Sequence, residues 1–197
     1  MRRHVPILIV VVALAGCGGS SAQSSPAADG TAPPAAAAGA SSAAFNDADV
    51  AFAQGMIPHH EQAVEMAEIA LDPAIGASPE IVGLARQIKA AQDPEIKLMT
   101  GWLTTWGTSI VMDTSDGHSM SDMEGMMSME QMDGLNQAKG PDFDKMWATM
   151  MITHHTGAVT MAKAVQIAGS NADVRMLAGA IIAAQEAEIA ELGKLVG

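Results

Sequence analysis

The sequence predicts an all-α protein, a four-helix bundle built from two repeated helical hairpins with a Met-rich connection. Apolar residues recur at helical spacing along four long stretches, strand-like alternation is absent, and the 197 residues include no tyrosine. One motif is written twice, as GMIPHHEQAVEMA at residues 55–67 and as MMITHHTGAVTMA at residues 150–162. Because each hairpin alone is too thin to bury its apolar stripe, the two copies are expected to pack against each other.

Start and stop signals bound the four long helices. Asn46 is an N-cap candidate for the first helix, and Asp72-Pro73 ends it. Gly140-Pro141 opens the third helix, and Gly169 begins its stop signal. The four helices are therefore expected at about 47–71, 79–106, 142–168 and 172–195.

Residues 1–16 are predicted to be a lipoprotein signal peptide. Two arginines precede an apolar run, residues 5–15, that is too short to span a bilayer. The run leads into LAGC, which resembles the lipobox of bacterial lipoproteins, whose cysteine becomes the lipidated first residue. The alternative is an ordinary secretory signal with an incidental cysteine. We therefore expect Cys17 to anchor an exported protein to the outer face of the bacterial cytoplasmic membrane or cell envelope.

A tether and one domain are expected to follow the signal peptide. Residues 17–44 begin at Cys17, are rich in Ala, Gly, Ser and Pro, lack large apolar residues and are predicted to be disordered. Residues 45–197 form the duplicated helical-hairpin domain. Since Cys17 is the only cysteine, the exported chain has neither an intramolecular disulfide nor a thiolate metal ligand.

The net charge excludes some partners. The formal charge is −12, and removing residues 1–16 takes away two arginines and no acids, which gives −14. Such an acidic protein is repelled by nucleic acid and by anionic lipid headgroups, so no nucleic-acid partner is expected. Membrane attachment should therefore come from acyl chains on Cys17.

Each repeat places adjacent histidines beside the apolar face of its helix. At roughly 100° per residue, His59 and His60 fall on opposite flanks of a face that contains Met56. His154 and His155 straddle the equivalent face of the third helix. Each pair can thus lean into the core towards two different neighbouring helices.

The second helix of each hairpin carries polar residues on its apolar stripe. Gln92 and Glu95 lie in the middle of one stripe, and Gln185 and Glu188 in the middle of the other. A carboxylate is rarely buried without a partner. Counted from the hairpin turn, Glu95 lies within roughly one helical turn of the level of His59. We therefore expect both glutamates to lie in the bundle core within reach of the histidine pairs, with the two glutamines supporting them.

Two interpretations of this polar set remain open. Four histidines and two glutamates can form a metal site, as His and carboxylate clusters do in bundle cores. They can also form a closed hydrogen-bonded network that sets helix register and binds nothing. The duplication of every element at one level favours the metal site.

Methionine indicates which metal to expect. The chain contains sixteen methionines, and thioether with imidazole ligands favours copper, with the thioethers favouring Cu(I). Cu(II) is compatible. Zinc, with three or four His or carboxylate ligands, is possible, but the methionines favour copper over it. Iron fits less well, because the Glu-x-x-His pairs of di-iron bundles do not occur in the four helices. The predicted metal residues are His59, His60, His154, His155, Met56, Met151, Glu95, Glu188, Met66, Met161 and Met99, supported by Gln92 and Gln185.

The connection between the hairpins is rich in methionine. Its stretch HSMSDMEGMMSMEQMD spans residues 118–133, and a capping box in SMEQ, residues 128–131, predicts a short helix. The stretch either docks on the bundle or serves as a loose collector of Cu(I) or Ag(I). The accessory residues in the second interpretation are His118, Met120, Met123, Met126, Met127, Met129 and Met132.

The repeated motifs and the segments around them resemble one bacterial family. MIPHH, QDPEIKLMTGWL, GMMSMEQMDGL and GPDFDKMWATMMITHHTGAVTMA are similar to the domain of unknown function 305 family, over residues 46–195. The resemblance implies a ferritin-like fold, export or a lipid anchor, and copper binding in some members. Carried over position by position, the family's motif residues are Met56, His59, His60, Gln92, Glu95, Met99, Met151, His154 and His155.

The expected function is copper binding, buffering or delivery in the cell envelope, in concert with other copper-handling envelope proteins. No Ser/His/Asp, Cys/His or phosphate-loop constellation indicates another chemistry, so a binding protein is favoured over an enzyme. The alternatives are a ferritin-like metal-dependent oxidase and a metal-free helical lipoprotein that acts as a protein-interaction module. Since imidazoles must be neutral to bind a metal, affinity should fall as the pH drops through about 6.5.

Overall fold

The computed structural model describes residues 44–112 and 123–196, and within them all regular structure is helical. The predicted signal peptide, and the predicted tether apart from Ala44, lie outside the described residues, as do His118 and Met120 of the connection. No helix in the described part of the chain is long and apolar enough to cross a membrane. The helices are α1 (Asp47–Leu71), α2 (Pro79–Trp106), α3 (Met129–Gln137), α4 (Gly140–Ala168) and α5 (Ala172–Val196).

The observed bounds confirm the all-α class and follow the predicted capping signals. The Asn46 side chain accepts from the backbone N–H of Asp49, and the Asp49 carboxylate accepts from that of Asn46, which completes a capping box at the start of α1. Ser128 and Gln131 form a second capping box, so the short helix predicted in the connection exists as α3. Gly107 ends α2 in the left-handed conformation, at φ 69°, where glycine carries no steric penalty.

The four long helices form two antiparallel hairpins. α1 packs on α2, α4 packs on α5, and the hairpins meet through α1 and α4. Two long-range hydrogen bonds set the antiparallel register of α1 and α4: Asn46 Nδ2 donates to the Ala168 carbonyl, and Trp147 Nε1 donates to the Met66 carbonyl, each at 2.9 Å. This register brings His59 opposite His154 at mid-bundle.

Asp49 also holds the two hairpins together. This buried carboxylate accepts from the backbone N–H groups of Ser170 and Asn171, both at 3.0 Å, in the turn between α4 and α5. Hydrogen bonds to an ionised acceptor are the stronger kind, so Asp49 both caps α1 and secures the far hairpin.

The apolar core consists of two clusters with a polar layer between them. We call the cluster near the α1–α2 turn the lower cluster and the other the upper cluster. Along α1, upper-cluster Ile57 precedes the histidine pair and lower-cluster Ala63 follows it. The lower cluster includes Met66, Leu84, Ile88, Trp147, Met151 and Leu192, and the upper cluster includes Phe52, Met56, Met99, Leu103, Ala158 and Ile181.

Candidate metal centre

Four buried histidines form the centre of the layer between the two clusters, and we call them the histidine layer: His59, His60, His154 and His155. Adjacent residues on a helix point roughly 100° apart, so each pair sends one ring across the bundle and one towards its hairpin partner. His59 of α1 and His154 of α4 meet across the bundle, with ring centroids 3.8 Å apart and planes inclined by 44°.

The two outer histidines are each paired with a glutamate. His60 Nε2 lies 2.8 Å from Glu95 Oε2, and His155 Nε2 lies 2.7 Å from Glu188 Oε2. An ionised carboxylate only accepts hydrogen bonds, so Nε2 carries the proton in each ring. In the neutral imidazole the lone pair is then on Nδ1, which is buried and lacks a hydrogen-bond partner among the described residues in both rings. Metal-bound histidines characteristically donate their other N–H to a carboxylate in this way.

The glutamates lie within reach of the histidine pairs, as expected, but at the rim of the layer and not in the core. Their side chains remain partly accessible at the bundle surface, 21% exposed for Glu95 and 17% for Glu188, whereas both partner imidazoles are fully buried. The glutamates therefore reach in from the rim of the layer to orient the rings. Gln92 and Gln185 are buried beside them, at 3% exposure each.

The two central histidines are neutral at physiological pH. Burial is the main cause that lowers the pKa of His59 to about 4, and the nearby His60 contributes in the same direction. Burial also lowers the pKa of His154 well below 6.5, followed by the effect of His59. Proton competition for these two rings therefore begins below the ordinary imidazole range. The expected loss of copper affinity near pH 6.5 concerns all four histidines and stays a prediction.

The turn that precedes α3 covers one side of the histidine layer. His59 Nε2 donates to the Glu124 carbonyl at 3.2 Å, which leaves the lone pair of that ring on Nδ1. The Gln62 side chain accepts from the Met127 backbone N–H at 2.7 Å and donates to the Met127 carbonyl at 2.9 Å. Sequence reasoning assigned neither contact, because a backbone carbonyl carries no residue-type signal.

Two glycines allow this turn to approach α4 closely. Gly125 adopts a φ of 86°, which favours glycine, and its Cα lies 2.9 Å from the point where a Cβ on Gly157 would stand. A methyl group on Gly157 would also overlap the Glu124 carbonyl oxygen. Gly157 occupies the place of Gln62 in the repeat, so the copies differ where they seat the connection. This difference between the two copies is the sequence feature that could have indicated where the connection packs on the bundle.

Buried polar atoms without partners are concentrated in this layer. Among the described residues, both ring nitrogens of His154 lack a hydrogen bond. Native interiors satisfy the great majority of buried polar groups, and each exception carries a free-energy cost. Seven such atoms belong to the four histidines and the two buried glutamines, and one of the two His154 nitrogens carries the hydrogen of the neutral ring. They are Nδ1 of His59, His60, His154 and His155, Nε2 of His154, and Oε1 of Gln92 and Gln185.

Four methionines flank the histidine layer. Met56 and Met99 belong to the upper cluster and Met66 and Met151 to the lower cluster, and all four are fully buried. Met161 is half-buried at the edge of the upper cluster. The predicted methionines thus lie on both sides of the layer, and their role as ligands stays a prediction.

The methionines of the connection do not behave as one group. Met127 and Met132 are buried in the lower cluster, Met123 and Met126 are half-buried, and Met129 is 86% exposed. Part of the connection therefore docks on the bundle, as one interpretation of the sequence expected.

The donor set fits a soft metal better than a hard one. Within residues 44–112 and 123–196, no three His, Cys, Asp or Glu side chains are arranged to hold a metal ion, and this includes the four histidines of the layer. Metal ligation by the layer therefore needs side chains of another type beside the imidazoles, and the methionines are the available ones. The two nearest carboxylates are already engaged by His60 and His155. Neutral imidazole nitrogens with thioethers above and below are the ligands that copper, and Cu(I) in particular, prefers.

The fold and the site together define a class: a helical bundle of two repeated hairpins, with a buried histidine layer between methionine-containing apolar clusters. The chain belongs to the family described as Domain of unknown function (DUF305), whose model matches residues 49–196. Comparison with curated proteins gives no match.

Solved structures of the same family share the fold. A DUF305 protein of Streptomyces coelicolor, described as secreted, is 31% identical with a TM-score of 0.66 and covers 75% of this chain and 89% of that chain. A DUF305 fragment from Deinococcus radiodurans is 28% identical with a TM-score of 0.68, and the match covers 77% of this chain and 97% of the fragment. CopM in its Cu(II)-bound form is 33% identical with a TM-score of 0.63, and the match covers 75% of this chain and 95% of the CopM chain. CopM has also been solved in Cu(I)-bound and Ag-bound forms.

Proposed function

We propose that this protein is an exported, lipid-anchored copper-binding protein that buffers copper in the cell envelope or delivers it to other copper-handling envelope proteins. The observation that carries the proposal is the set of unpartnered, buried imidazole nitrogens, above all those of His59 and His154. Both rings are neutral at pH 7 because burial lowers the pKa of each, so their lone pairs are available without proton release.

The residues of the layer take distinct roles in this proposal. His59 and His154 present lone pairs across the bundle, and His60 and His155 present Nδ1 because Glu95 and Glu188 hold their Nε2–H groups. Met56, Met66, Met99 and Met151 supply thioethers that favour Cu(I) over harder cations. CopM, which is about a third identical to this chain, has been solved with Cu(I) and with Cu(II), and this supports copper as the metal of the histidine layer.

Copper itself provides the direct test of this proposal. Protein purified without added metal should, under anaerobic conditions, withhold at least one equivalent of Cu(I) from a chromophoric chelator, and Zn(II) or Fe(II) in excess should not displace it. Metal analysis of the same preparation checks the stoichiometry. A chain that withholds neither Cu(I) nor Cu(II) from the chelator would contradict the proposal.

The lipid anchor makes a separate prediction. Cys17→Ala should move the protein from the membrane fraction to the soluble fraction of the cell envelope, because acyl chains on Cys17 are the proposed attachment and the chain is strongly acidic. Fractionation with immunodetection measures this. Ser20→Ala, in the same predicted tether, is the matched control and should leave the protein with the membrane. Membrane retention of the Cys17 variant would rule out Cys17 as the anchor.

A further inference from the structure

Three methionine side chains converge on Gly55, one helical turn before His59. A methyl group placed on Gly55 would lie 2.9 Å from Met161 Cε, 3.4 Å from Met112 Cε and 3.7 Å from Met123 Sδ. The three side chains come from different parts of the chain: α4, the segment after α2, and the turn before α3. We call Met112, Met123 and Met161 the thioether triad.

Gly55 makes the space that the thioether triad fills. It lies in the middle of α1, where glycine costs about 1 kcal/mol relative to alanine. Its backbone does not require glycine, since Gly55 is not among the positive-φ residues of the described chain. The second copy of the repeat has Met150 at this position. The first copy therefore leaves room at the helix surface where the ends of three methionine side chains lie together.

The thioether triad differs from ordinary core methionine in its exposure. Met112, Met123 and Met161 are all half-buried, whereas Met56, next to Gly55, is fully buried in the upper cluster. The triad is therefore open to an ion from solvent. Its three sulfur atoms are neutral and do not titrate, so the cluster offers nothing to hard cations and suits a soft monovalent ion.

We propose that the thioether triad is a second metal site, which takes a soft monovalent cation such as Cu(I) or Ag(I) independently of the histidine layer. Gly55 and His59 are four residues apart on α1, which is about 6 Å along the helix axis. The backbone carbonyl of Glu124, the residue after Met123, accepts a hydrogen bond from His59 Nε2. The triad thus lies about one helical turn from His59, on the side of the upper cluster.

Silver binding followed by NMR tests this proposal. Chain carrying ¹³C-methyl methionine is titrated with Ag(I), and the three ε-methyl resonances are assigned from single Met→Leu variants. We expect these three resonances to shift together. We also expect the triple variant Met112→Leu/Met123→Leu/Met161→Leu to lose one equivalent of bound Ag(I), because leucine keeps the apolar volume and removes the sulfur. Gly55→Leu, which fills the space and removes no ligand, should weaken that equivalent at least tenfold.

Matched controls separate the site from general methionine content. Met146→Leu/Met176→Leu replaces two exposed methionines outside the connection, and Gly101→Leu adds the same side chain at a helical glycine with no heavy atom within 4 Å of its Cβ position. Both controls should bind Ag(I) like the wild type. An unchanged Ag(I) stoichiometry in the triad variant would overturn the inference. If that variant still binds copper through the histidines, the proposed function stands and only the second site is lost.

Discussion

Replacing His59, His60, His154 and His155 together by alanine is expected to lower the affinity for Cu(I) by more than about a hundredfold. Disturbing only the groups behind metal ligands already costs about 10–100-fold in affinity, and this variant removes the ligands themselves. Competition with a chromophoric Cu(I) chelator measures the loss. Far-UV circular dichroism should show that the variant remains helical, since the upper and lower clusters are left intact.

Two matched variants sharpen this test. Glu95→Gln/Glu188→Gln keeps every imidazole and weakens only the hydrogen bonds that orient His60 and His155, so an intermediate loss of about 10–100-fold is expected. Glu61→Ala/Glu65→Ala removes two exposed acids from α1 and should change little. Full Cu(I) affinity in a helical four-histidine variant would show that the layer is a structural network rather than a binding site.

Metal-free protein is expected to lose about 3 kcal/mol of stability between pH 7 and pH 4 through His59 alone. The pKa of His59 is about 4 in the folded chain and about 6.5 when unfolded, so the unfolded state binds more protons throughout this interval. Stability therefore falls as the pH drops below about 6.5, and this contribution is fully lost below pH 4. The lowered pKa of His154 acts in the same direction. Urea unfolding of chelator-treated protein at several pH values measures the slope.

The carboxylates of the chain also titrate in this interval, so the informative quantity is the difference from a histidine variant. His59→Gln removes the titrating ring from α1 and should flatten the pH dependence of the free energy of unfolding by about 3 kcal/mol over the same range. Asn136→Gln, at an exposed position of α3, is the control and should follow the wild type. A variant as acid-sensitive as the wild type would mean that His59 is not held neutral by burial.

The helices and the level of the polar layer could be predicted from the sequence because both depend on local periodicity. Capping residues and the 3.6-residue repeat predict the ends of α1 and α2 to within a residue or two. The capping box at Ser128 predicts where α3 begins. The doubled histidine motif and the glutamates on the apolar stripes placed both kinds of side chain at mid-bundle. These are properties of single helices, so no knowledge of tertiary contacts was needed.

Contacts between distant segments were decided only by the tertiary structure. Three of these contacts join residues on separate elements: the Glu124 carbonyl with His59, the turn before α3 with Gly157, and the three methionine side chains with Gly55. The low pKa of His59 is also a property of its burial, which no residue type encodes. Helical periodicity tells which face of a helix turns inward. Which atoms meet there depends on how the two hairpins and the connection pack together.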